Sequence, residues 1–86
     1  MPRELLLMLQ SRVLKSIAHL IMQTYMMDDL IDYGRLYTII HVCCADDQNT
    51  GNPYEQDYED LLLNIPGGPH TASFYVEKIA ETLKQL

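Results

Sequence analysis

The sequence predicts an all-α protein, a compact antiparallel bundle of about four helices. Two observations carry that expectation. Apolar residues recur at three- and four-residue spacing in several stretches, as they do along one face of a helix. Turn formers gather at ADDQNTGNP (residues 45–53) and IPGGP (residues 65–69), dividing the second half into short pieces. With 86 residues, 48% of them apolar, the chain has the size of one domain spanning 1–86 and can build a small core of its own.

The first helix is expected from Pro2 to about Tyr25, with proline in its first turn. Leu6, Leu9, Val13, Ile17, Leu20 and Thr24 trace one stripe. Leu7, Leu14, Ile21 and Tyr25 trace a second beside it. So wide an apolar arc suits a central place in a bundle, or burial against a second copy of the chain as well. The second helix is expected from Asp28 to Cys44. Leu30, Tyr33, Tyr37, Ile40 and Cys44 share a face, and Asp28 and Asp29 stand where carboxylates cap a helix start. Tyr37 to Cys43 is rich in β-branched and aromatic residues, so the alternative is a strand over 37–43 and an α+β fold. A short third helix is expected over Tyr54 to Asn64, with Tyr54, Tyr58, Leu61 and Leu62 on its buried side. A last one is expected from about Thr71 to Leu86, capped by Thr71 or Ser73, with Tyr75, Val76, Ile79, Leu83 and Leu86 facing inward.

Charge is unevenly distributed. The chain has six basic and twelve acidic residues, a formal net charge of −6. Residues 28–69 hold nine of the acids, with Arg35 as their one cation. Such a surface disfavours nucleic acid, because phosphate binding needs basic residues. It suits a basic protein partner, or mimicry of nucleic-acid charge. No secretory signal or membrane-spanning run is evident, and the adjacent cysteines are poorly placed to bond each other. The expected setting is therefore reducing and cytoplasmic, with no membrane partner.

Three constellations point to chemistry. Asp28-Asp29-Leu30-Ile31-Asp32 is a DDxxD pattern whose Asp28 and Asp32 would share a helical face and could hold Mg²⁺. With the residues before it, it resembles the first aspartate-rich motif of isoprenoid synthases, a family that needs a large cavity and a second such motif. Taken with Asp57-Tyr58-Glu59-Asp60, the pattern also resembles the carboxylate layout of small all-α nucleoside triphosphate pyrophosphohydrolases. That resemblance implies a Mg²⁺ site at Asp28, Asp32, Asp57 and Asp60, with aspartates where that family carries glutamates. His41, Cys44 and Asp47 lie three apart, with Cys43 beside them, and with a distant residue such as His70 they could ligate Zn²⁺.

The fourth constellation is an acidic surface bearing tyrosines: Asp46, Asp47, Tyr54, Glu55, Asp57, Tyr58, Glu59 and Asp60. Acids steer a basic partner, and tyrosines supply contact area. The start Asp60-Leu61 of a short stretch ending at Pro66 is similar to the third helix of the small acidic immunity proteins that neutralise bacteriocin nucleases. Leu63 and Asn64 stand where those proteins carry paired tyrosines. The expectation is a non-enzymatic interaction module without a cofactor, binding or inhibiting a basic protein, with a homodimer through the first helix as a second contact. The alternatives are the Mg²⁺-dependent pyrophosphohydrolase and a homo-oligomeric helical scaffold.

Overall fold

The computed structural model describes residues 3–45 and 52–86. Over these residues the chain forms four helices and one short sheet: α1 (Arg3–Thr24), β1 (Leu30–Ile31), α2 (Tyr33–Cys44), α3 (Glu55–Leu63), β2 (His70–Thr71) and α4 (Ala72–Lys84). The molecule is elongated, 38 × 26 × 24 Å. A 22-residue helix spans about 33 Å at 1.5 Å per residue, so α1 is the spine. It packs against α2 and α4, and α3 packs against α2. The fold class is thus a mostly α bundle, and residues 37–43 are helical.

The second helix starts later than its apolar spacing suggests. Residues 25–29 form a turn that Asp29 closes: the Met26 amide donates to Asp29 Oδ2 at 2.9 Å, and the Asp29 amide donates to the Met26 carbonyl at 3.1 Å. Leu30 and Ile31 then run antiparallel to His70 and Thr71, pairing Leu30 with Thr71 and Ile31 with His70. Asp32 is the N-cap of α2, its Oδ1 accepting from the Arg35 amide at 2.8 Å. The cap therefore lies one turn beyond the Asp28-Asp29 pair.

The same logic repeats at α4. Thr71 leaves β2 and caps the helix, its hydroxyl accepting from the Phe74 amide at 3.2 Å. Two further bonds tie this start to the turn before β1: the Ala72 amide donates to the Asp29 carbonyl at 2.8 Å, and the Ser73 amide to the Met27 carbonyl at 2.9 Å. Before β2, Gly67 takes φ +84°, a conformation that favours glycine. His70 folds back over this loop, donating from Nε2 to the Pro66 carbonyl at 3.1 Å and stacking on Phe74 at 4.2 Å between centroids.

The core is built from Val13, Leu14, Ile17, Ala18 and Ile21 of α1 together with Ile31, Leu36, Ile40, Tyr58, Leu62, Tyr75 and Ile79. Burial along α1 thus begins at Val13. Leu5 and Met8 are exposed, and Leu6, Leu7 and Leu9 are half-buried. The wide arc splits lengthwise: its C-terminal half is core, and its N-terminal half is largely surface. By length and composition alone α1 could cross a membrane, a test that core helices also pass. Arg12 and Lys15 fall midway along it, where each cation costs about 3 kcal/mol in a bilayer, and its middle residues are engaged by α2 and α4.

This division predicts unequal costs along one helix. Ile17→Ala removes a fully buried side chain and should lower unfolding free energy by about 2–5 kcal/mol in urea titrations. Leu5→Ala, at an exposed position, should change it by no more than about 0.5 kcal/mol.

Candidate functional site

The acidic region expected to carry function maps onto the α2–α3 pair and the segment between them. Asp46 and Asp47 lie outside the described residues. The remaining six are distributed by the wheel of α3. Tyr58 belongs to the core, with 1% of its surface exposed and its hydroxyl 3.4 Å from the Gln10 carbonyl. It thus faces α1 rather than a partner, and burial pushes its phenol pKa upward. Tyr54 is half-buried beside it, the two rings 6.2 Å apart. Glu55 and Glu59 lie toward α2, near enough to Cys44 to act on its thiol electrostatically. Asp57 and Asp60 are exposed on the outer side, Asp60 accepting from Gln56 at 3.2 Å and from Asn64 at 3.1 Å.

The Mg²⁺ layout is not assembled. Asp28 sits in the turn before β1, Asp32 caps α2, and Asp57 and Asp60 face outward from α3. Among the described residues, no three His, Cys, Asp or Glu side chains converge to hold a metal ion. The DDxxD pattern is not on one helix, because β1 occupies its middle. Asp32 is instead committed to local bonds, accepting from the Arg35 amide and pairing with the Arg35 guanidinium. Those bonds, the amide foremost, hold its carboxyl below the usual range. Nor do the described members of the zinc set converge as three ligands. His41 Nδ1 meets Glu55 Oε1 at 2.8 Å, and His70 lies on the 66–69 loop. Asp47 is outside the described residues.

Cys44 offers little chemistry. Cys44 is buried against α3, and desolvation, with Glu55 next, pushes its thiol up to about 12. A thiol so raised is a poor nucleophile. Cys43 lines a shallow cavity of about 330 Å³ with Leu9, Arg12, Ser16 and Asn52. The shifted pKa values of Asp32, Cys44 and Tyr58 are each moved away from neutral pH. Among the described residues the buried titratable groups are Cys44, Tyr58 and Tyr75.

One surface feature went unread in the sequence because Tyr33 and Tyr37 were placed on the apolar stripe of the second helix and His41 was read as a candidate zinc ligand. Tyr33 and Tyr37 are 63% and 41% exposed, and the His41 side chain 61%. They sit at i, i+4 and i+8 on α2, with the Tyr37 and His41 rings parallel within 6° and 6.0 Å apart. The core face of α2 is Leu36, Ile39, Ile40 and Cys44 instead. At one end of this ladder His41 meets Glu55. At the other Tyr33 and Leu63 line one cleft, so α3 runs antiparallel alongside α2. Between Arg35 and Lys78 the chain holds no lysine or arginine.

Comparison with protein-family models, with known proteins and with solved structures gave no match.

Asp32→Asn tests whether this carboxylate is a cap. Asparagine keeps a cap acceptor but cannot titrate. Because the folded pKa of Asp32 is depressed, its contribution is full above the ordinary value of 3.8 and is lost as pH falls through the lower folded value. Thermal melts should show wild type more stable than the variant near neutral pH and losing that margin below about pH 4. Parallel curves would mean the charge contributes nothing.

Proposed function

We propose that the chain is a non-enzymatic interaction module, an acidic binder or inhibitor of a basic partner protein. The observation that carries this reading is the run of carboxylates on α3, Glu55, Asp57, Glu59 and Asp60, in a stretch free of lysine and arginine. Its described ion pair is with a histidine, His41–Glu55. Unneutralised charge of one sign raises the encounter rate with an oppositely charged partner and disfavours wrong ones. The scattered carboxylates and the raised Cys44 thiol fit this reading better than they fit a hydrolase. A cytoplasmic, reducing setting goes with it.

A second reading, a homo-oligomeric scaffold, is favoured by exposed Leu5 and Met8 on the first turns of α1, where half-buried Leu6, Leu7 and Leu9 lie beside them. An apolar patch of this kind gains by being covered.

The two readings separate in one comparison of wild type, Asp57→Lys/Asp60→Lys and Met8→Glu, each immobilised for capture and each sized by light scattering. The binder reading expects basic proteins retained by wild type and Met8→Glu, released as salt rises from about 0.05 to 0.5 M, and reduced at least about tenfold by the charge reversal. Capture indifferent to salt and to charge reversal overturns it. A wild-type mass of two chains that Met8→Glu halves establishes the scaffold reading.

A further inference from the structure

We propose that the exposed ladder of α2, Tyr33, Tyr37 and His41, is the docking face for an arginine-bearing helix of the partner protein. The proposal rests on the basic-partner reading and specifies its chemistry. Residues four apart on a helix are separated by about 6 Å along the axis, so Tyr33 and Tyr37 repeat at helical pitch. A partner helix with arginines four residues apart presents guanidinium groups at the same spacing. Each planar guanidinium can lie over a tyrosine ring, attracted by the negative face of the ring, and it sheds water more readily than an ammonium does.

The surroundings suit that occupant. Beyond Tyr33 lies a cleft of about 330 Å³ lined by Leu63, Ile65, Pro69 and Tyr75, with Asp32 at its edge. Apolar walls accept the aliphatic stem of an arginine, whose cationic tip would share Asp32 with Arg35. At the other end of the ladder stands Glu55. A second copy of this chain is the less fitting occupant, since it would bring a net charge of −6 to a face already acidic. An apolar partner helix would desolvate the Asp32–Arg35 and Glu55–His41 pairs and offer no further charge in return.

The test uses two alanine-based helical peptides, identical except that one carries arginine and the other lysine at every fourth position. Each is titrated into the ¹⁵N-labelled chain at about 0.05 M salt, where exposed charges are little screened. The arginine peptide is expected to bind more tightly and to shift amides of residues 32–44 and 55–65. Tyr33→Leu/Tyr37→Leu should weaken the arginine peptide about fivefold or more and leave the lysine peptide within about twofold, abolishing the preference. Tyr33→Phe/Tyr37→Phe keeps the rings and should keep the preference. Asp57→Lys/Asp60→Lys should weaken both peptides alike and leave the preference intact.

If both peptides bind equally and the leucine variant changes nothing, the ladder is not the docking face, while the acidic reading survives. If neither peptide binds, the acidic reading falls and the ladder with it. Amide shifts confined to other elements overturn the proposal whatever the affinity. Because both tyrosines are exposed, the variants are expected to retain the wild-type circular dichroism spectrum. Should the leucine variant unfold, the arginine preference of the phenylalanine variant, compared with a Tyr37→Ser single variant, decides the same question.

Discussion

The antiparallel pairing of residues 30–31 with 70–71 is the constraint on which the rest of the bundle depends. It is only two residues long on each side, yet each strand runs directly into a helix start. Asp32 caps α2 one residue after β1, and Thr71, the last residue of β2, caps α4. Bonds from Ala72 and Ser73 back to Asp29 and Met27 extend the junction. Two helix starts some forty residues apart are thereby held side by side. Ile31, fully buried, anchors the junction in the core. A clasp of this size would not persist alone, since isolated two-stranded pairings are marginal even when longer. It persists because the apolar faces of α1, α2 and α4 close over it.

That closure accounts for the behaviour of α1. A spine helix can bury only as much of its length as its neighbours cover. Its contacts with α2 and α4 lie where Val13, Leu14, Ile17, Ala18 and Ile21 are buried. Toward the N-terminus Tyr58 reaches the Gln10 carbonyl from α3, and Leu9 still touches the core. Beyond that point the leucines find partial cover or none. Apolar content alone therefore overstates what this helix contributes to stability. The cost of truncating a leucine depends on its neighbours, and those change within two turns.

Much of this architecture was legible in the sequence, for identifiable reasons. Helices persist over many residues, so their periodicity accumulates. The turn formers before α3 and the Pro-Gly-Gly-Pro run before α4 punctuate the chain where its local chemistry requires it. The start of α2 was misplaced because Leu30 fits the helical stripe by spacing while lying on a strand, 63% exposed. A two-residue strand has no period to detect, and its partner lies far along the chain. Tyr58 was read both on the buried side of the third helix and within the acidic surface, and its burial bears out the first of these. On a helix, adjacent residues point apart by about 100°, so Asp57 and Glu59 say little about the direction of Tyr58. Tyr33 and Tyr37 were misread in the opposite sense. Helical spacing groups residues on a face without saying whether that face is covered. The cover of α2 is set by where α1 and α3 lie, which the local pattern does not encode.

The separation of charge from basic residues follows from the same geometry. Arg35, the cation nearest the acidic stretch, is held by Asp32 at the start of α2. Arg12 and Lys15 ride on the exposed side of α1. Of the carboxylates of α3, Glu55 meets His41 at the end of the ladder, while Asp57 and Asp60 are exposed to solvent. Mutual repulsion along one short helix is unfavourable, and the first turn alone offsets it, where Glu55 and Asp57 complement the helix dipole. Glu59 and Asp60 lie further along, beyond the turn in which that effect is strong. Asp60 is tied into local hydrogen bonds from Gln56 and Asn64. On the proposal of a basic partner, four acids on one nine-residue helix and the exposed rings of α2 would be met by one contact that neutralises the charge and covers the rings together.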